Sequence, residues 1–163
     1  MAAVKPSAAW GLPLHVPREY IVPMGAGHEV DGETVIRFRT SLERCLARPE
    51  FLEDFYNRFL ASSDEVREKF AHTDFAKQRR MLRGSLYLMS RAAMGLDDGR
   101  EHLAAVAKSH SSSRLAIPKH HYDLWLESLV ETARESEGEF DAELEAAWRE
   151  VLSLAVNVVS DHD

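Results

Sequence analysis

The sequence predicts an all-α domain preceded by an extended arm. Three observations carry that reading. From Glu33 onward the apolar residues recur at spacings of three and four, the period of a helix face, and not at the spacing of two that marks a strand. The first 32 residues hold four of the six prolines (Pro6, Pro13, Pro17, Pro23) and four of the eight glycines (Gly11, Gly25, Gly27, Gly32), which prevents a long helix there. The two other prolines, Pro49 and Pro118, fall where helices are expected to begin.

The boundaries expected are an arm over 1–32 and a helical domain over 33–163. The arm carries Trp10, Leu12, Leu14, Tyr20, Ile21 and Val22, which is too apolar for a free tail. It is expected to pack on its own domain or on a partner chain, with a short strand as the only β-structure considered. The first helix presents Val35, Phe38, Leu42 and Leu46 on one stripe. The second presents Phe51, Leu52, Phe55, Tyr56, Phe59 and Leu60, with Pro49 suited to its first turn. Ser62 and Glu65 have capping-box spacing and open a short turn ending near Phe70. Thr73 and Asp74 cap a long helix that reaches about Met94 and stops at Gly95. After an Asp97-Asp98-Gly99 loop, Leu103, Val106, Ala107 and His110 fall at i, i+3, i+4 and i+7, and Ser111-Ser112-Ser113 breaks the pattern. The next helix carries Tyr122, Trp125, Leu126 and Leu129, and Glu137-Gly138 ends it. The last carries Leu144, Ala147, Trp148, Val151, Leu152, Ala155 and Val159. That makes about seven helices.

Composition excludes several classes. The 163 residues are 45% hydrophobic and 29% charged, a globular balance for one domain. A net charge of -7 gives no electrostatic footprint for nucleic acid or an anionic membrane surface. The lone cysteine, Cys45, makes no internal disulfide and no cysteine-based metal centre within one chain. No apolar run of membrane-spanning length and no secretory signal is visible, so a cytoplasmic location is expected.

Chemistry concentrates at three polar residues on apolar faces. His110 lies on the apolar stripe of a short, weakly hydrophobic helix. Tyr56 lies on the face defined by Leu52, Phe55 and Phe59, and a buried phenol needs a partner. Gln78 lies four residues before Leu82 and shares its face. A tyrosine, a glutamine and a histidine inside an apolar helical domain, with no triad and no phosphate loop, suit a cofactor held by one axial ligand. His120 and His121 are the rival ligands. Beside Lys119 in the first turn of a helix, they are expected to face solvent.

At these residues the chain resembles the bacterial globins, both the single-domain and sensor types and the globin domain of flavohemoglobins. Phe55-Tyr56-Asn57-Arg58-Phe59-Leu60 through Val66-Arg67-Glu68-Lys69-Phe70 is similar to their second and third helices. Gln78-Arg79-Arg80-Met81-Leu82 is similar to their distal segment, and His110, thirty-two residues after Gln78, matches the proximal histidine. The resemblance covers roughly 33–159. It implies a globin fold and one b-type haem, with His110 as the iron ligand. Tyr56, Gln78 and Leu82 then line the gas site, and Phe70, Phe75, Arg79, Val106, Ile117 and Tyr122 contact the haem.

Two departures accompany it. The Phe70–Gln78 connection is about two residues shorter than in flavohemoglobins and the His110–Tyr122 connection about two longer. The first leaves Lys77, Arg79 and Met81 as alternative occupants of the distal position. The acidic residue that flavohemoglobins place in the last helix, to polarise the proximal histidine, has no clear match. Asp161 is the candidate. The resemblance implies reversible binding of dioxygen or another diatomic gas, for sensing or oxygen delivery. A homodimer through the last two helices is expected, because Val151, Leu152, Leu154, Ala155, Val156, Val158 and Val159 make a strip wider than one core-facing stripe requires. A signal would pass through that dimer or to a partner protein. The alternatives are a nitric oxide dioxygenase served by an external reductase, since Gly25-Ala26-Gly27 lacks the strand–helix context of a dinucleotide site, and a haem-free signalling module, against which His110 counts.

Overall fold

The computed structural model describes residues 30–111 and 115–161 and folds them into seven α-helices. These are α1 (Gly32–Leu46), α2 (Phe51–Ala61), α3 (Asp64–Lys69), α4 (Phe75–Ala93), α5 (Asp97–His110), α6 (Lys119–Ser136) and α7 (Ala142–Ser160). No strand occurs among the described residues. The arm, with its possible strand, lies outside them apart from its last three residues, as do residues 112–114.

The local signals place the helix ends. Ser63 caps α3 by accepting from the Val66 amide at 3.4 Å. The capping serine is thus one residue later than the capping box suggested; Ser62 instead donates back to the Phe59 carbonyl at 2.5 Å. Asp74 caps α4 by accepting from the Lys77 amide at 3.2 Å, and Asp141 caps α7 through Leu144 at 2.8 Å. Pro49 falls outside α2, just before its N-cap residue Glu50. The end of α4 needs a glycine. Gly95 has φ of 75°, and the amides of Gly95 and Leu96 bond to the carbonyls of Ala92 and Arg91 at 2.9 and 3.0 Å. That is the Schellman pattern, which closes orphaned carbonyls with a left-handed residue.

The core runs through the middle of the bundle. α1 and α4 both pack on α7, α2 packs on α6, and α4 lies along α5. Trp148 of α7 meets Phe38 edge-on at 4.8 Å, and its indole nitrogen donates to the Ser41 hydroxyl at 2.9 Å, so this buried indole has its one polar atom satisfied. α7 buries Val151, Leu152, Ala155 and Val159, while Leu154, Val156 and Val158 are half-buried.

Asp97-Asp98-Gly99 is not a loop, as the pattern suggested, but the first turn of α5. The two aspartates sit at the positive end of the helix dipole. Asp98 also holds Arg91 of α4 through its two carboxylate oxygens at 2.9 and 2.7 Å. Gly99 lies directly on the α4 backbone. A Cβ there would stand 2.2 Å from the Ala92 nitrogen and 2.5 Å from the Leu88 oxygen. Backbone cannot yield as a side chain can, so Gly99→Ala must separate α4 from α5. We expect Gly99→Ala to cost about 2–3 kcal/mol or more of stability, read as a lower urea midpoint.

Candidate functional site

The predicted residues lie on α2, α4, α5 and α6 and beside the end of α3. Tyr56 projects from α2, which turns its Leu52–Phe55–Phe59 face to the core. Its ring lies 5.5 Å from Phe75 and 6.1 Å from Phe70, and Phe70 also meets Phe59 at 5.8 Å. Phe70 is placed by the short α3, which ends there, and Phe75 opens α4. Gln78 is three residues further along, in the first turn fixed by the Asp74 cap, and is 1% exposed.

The shorter connection before α4 does not displace the glutamine. Lys77 is exposed, Arg79 and Met81 are half-buried, and Gln78 is the polar side chain of that turn that enters the core. Leu82 follows one turn later on the same face.

These polar atoms are buried without partners. The Tyr56 hydroxyl and both the oxygen and the nitrogen of the Gln78 amide are inaccessible to solvent and accept or donate no hydrogen bond. Burial pushes the Tyr56 phenol well above its ordinary pKa, with Gln78 and then Arg79 the groups that oppose the shift. Tyr56 is therefore a neutral donor throughout the physiological range. Leaving such groups unsatisfied costs about 1–3 kcal/mol each, so the neighbouring Tyr56 and Gln78 side chains hold hydrogen-bonding capacity in excess of what the fold uses.

His110 ends α5 and is 1% exposed. Its Nδ1 lies 2.7 Å from the Val106 carbonyl one turn earlier. A carbonyl only accepts, so Nδ1 carries the proton and donates, and the lone pair is on Nε2. The Ser109 hydroxyl donates to the same carbonyl at 2.9 Å. The tautomer is thus set by α5 itself. Asp161, the candidate acidic partner, sits instead at the exposed C-cap of α7. Beyond His110 the chain turns back through Ala116, a non-glycine residue at φ of 50°, and the Ile117 amide donates to the His110 carbonyl at 3.4 Å. Ile117 is buried, and Tyr122 of α6 lies 6.3 Å from the His110 ring.

An apolar pocket, part of it open to solvent, lies among α4, α5, α6 and α7, and its residues Leu82 and Val106 stand one helical turn from Gln78 and His110. Leu82, Val106 and Tyr122 line it as expected. Ser85, Met89, Trp125, Ala155, Val156 and Val159 line it too, and the sequence reading did not assign them there. Ser85 and Met89 could have been found, since they continue the Leu82 stripe at i+3 and i+7. The α6 and α7 residues read as ordinary core.

His120 and His121 divide. His120 is exposed as expected, but His121 is 2% exposed. It starts the inward stripe of α6 with Trp125, Ser128 and Thr132, and its Nε2 lies 3.0 Å from the Glu65 carboxylate.

Seven helices, a buried histidine at the end of α5, buried polar side chains on α2 and α4 and an apolar pocket beside them are the arrangement of a globin-type fold. The globin family profile matches residues 53–159, and the chain belongs to that family. It is similar, at 37% identity over 79% of this chain and 97% of the other, to PA3967 from Pseudomonas aeruginosa PAO1, with a TM-score of 0.75. The crystal structure of that protein is described as structurally highly homologous to a human hemoglobin. No curated protein matches this chain.

Membership implies haem binding, and the residues present fit it. A haem needs apolar lining, one axial nitrogen and polar partners for what its iron binds; the apolar pocket, the buried His110 and the buried polar side chains of Tyr56 and Gln78 supply these chemistries.

His102 of α5 crosses to the Ser85 hydroxyl of α4 at 2.8 Å, at the pocket's edge. Burial pushes its pKa down to about 4. The unfolded chain therefore binds this proton near pH 6.5 and the folded chain only near 4, so folding stability drops as pH falls through that window. The loss is at most about 3 kcal/mol. We expect His102→Gln to flatten the dependence of the urea midpoint on pH between these values.

Proposed function

We propose that the chain holds one b-type haem between α4 and α5 and reversibly binds dioxygen or another diatomic gas, for sensing or oxygen delivery. The observation that carries this is the set of partnerless buried atoms on Tyr56 and Gln78, in a core that also buries a histidine whose tautomer is already fixed. When bound, the haem would supply an iron able to take a diatomic gas.

The chain's own residues supply the rest. His110 offers the Nε2 lone pair, and its Nδ1–H bond to Val106 fixes the ring and raises its basicity. Tyr56 offers a hydroxyl proton to a polar gas ligand, and Gln78 offers an amide donor beside it. Leu82, Val106, Ile117, Tyr122, Phe70 and Phe75 exclude water, so each polar contact acts in a low dielectric. Arg79, half-buried at the start of α4, would meet an acidic edge of the cofactor.

Two substitutions test this together. His110→Ala abolishes stoichiometric haem uptake while His120→Ala does not; normal haem content and an unchanged ferrous spectrum in His110→Ala would sink the assignment. Tyr56→Phe keeps the ring and removes the donor, so dioxygen dissociates about tenfold faster or more, from the loss of about 1.4 kcal/mol of bonding, while carbon monoxide dissociation changes little. An unchanged dioxygen off-rate in stopped flow contradicts the distal role.

The same reading includes a homodimer through α6 and α7. The half-buried Leu154, Val156 and Val158 continue the buried face of α7 toward solvent. Sedimentation at micromolar concentration is expected to give twice the 18.5 kDa chain mass; the monomer mass rejects the dimer.

A further inference from the structure

We propose that Glu65, His120 and His121 form a transition-metal site of the zinc class that fastens α3 to the start of α6. No residue of it belongs to the pocket around Tyr56, Gln78 and His110. The three side chains come from two helices and point at one spot. The Nε2 atoms of His120 and His121 lie 3.1 and 3.0 Å from the same Glu65 oxygen, and all three ligand atoms fall within 4.8 Å of one another. Four-coordinate zinc with bonds of about 2.0–2.1 Å holds its ligand atoms roughly 3.3 Å apart. The cluster needs only a small adjustment to reach that spacing.

The three residues differ in the way such a site requires. His121 is anchored, with only 3% of its side chain exposed, so one ligand is preorganised. His120 and Glu65 are 59% and 63% exposed, which gives an ion its way in and leaves a fourth position to water. The two imidazole rings are 4.6 Å apart and nearly perpendicular, at 83°, so neither blocks the other's Nε2. Two imidazoles and one carboxylate select Zn(II), Ni(II) or Cu(II) over the oxygen-loving Mg(II) and Ca(II). Beside the two histidines the Glu65 carboxyl is held below its ordinary pKa, so it stays an anionic ligand at neutral pH. An ion there would hold α3, and α3 ends at Phe70, which packs against Tyr56. The rival is a plain clip in which Glu65 accepts two imidazole N–H groups and no ion binds.

The test is a zinc titration of the haem-loaded full-length chain near neutral pH, in competition with a chromophoric chelator. It compares the unmodified chain with His120→Ala, Glu65→Gln and, as a control away from the cluster, His72→Ala. Both exposed-residue variants are expected to fold, which circular dichroism checks. The proposal expects one tight equivalent of zinc in the unmodified chain and in His72→Ala, weakened about tenfold or more in His120→Ala and Glu65→Gln. Equal affinity in all four chains, or no binding by the unmodified chain up to about 100 μM zinc, overturns it in favour of the clip.

Discussion

The closeness of α4 to α5 is the constraint on which the rest of the site depends. Gly99 lets the two backbones touch, because any Cβ at that position would run into the α4 main chain at Ala92 and Leu88. α4 carries Gln78 and Leu82, and α5 carries Val106 and His110. The spacing of these helices therefore sets the width of the pocket between them. Arg91–Asp98 and Ser85–His102 are further links across the same pair, so the contact at Gly99 is reinforced along its length.

On that frame the polar groups are distributed by an economy of partners. His110 has its Nδ1 proton spent on its own helix, which leaves the Nε2 lone pair as the chemically useful end of the ring. Tyr56 and Gln78 are the opposite case: they are buried with nothing to bond. Folding alone would not retain that arrangement at about 1–3 kcal/mol per group. A bound group that both shields them and accepts from them would offset the cost. The contrast with Trp148 is instructive, since its buried nitrogen is answered by Ser41 and has no further chemistry to offer.

Much was legible in the sequence because it is carried by local rules. Helix period, the caps at Asp74 and Asp141 and the left-handed stop at Gly95 depend on neighbours within a few residues. The spacing of Tyr56, Phe70, Gln78 and His110 is likewise a one-dimensional signal, and it singled out three polar residues that the fold buries, Tyr56, Gln78 and His110. It could not say which face of the first turn of α4 enters the core. Packing made that choice and put Gln78 inside and Lys77 outside.

What only the tertiary structure decided is long-range. Gly99 reads as a turn residue in sequence, and only the crossing with α4 reveals that it is a contact. His121 reads as a surface residue beside Lys119 and His120, and only the approach of Glu65, from a helix 56 positions away, gives its buried nitrogen a partner. The pocket walls from α6 and α7 look like any other core stripe until the bundle closes around them. Sequence determines the period, the caps and the residues able to do chemistry, because those are properties of a residue and its near neighbours. The fold decides which of them meet, because burial and hydrogen bonding across helices depend on distances that no local pattern encodes.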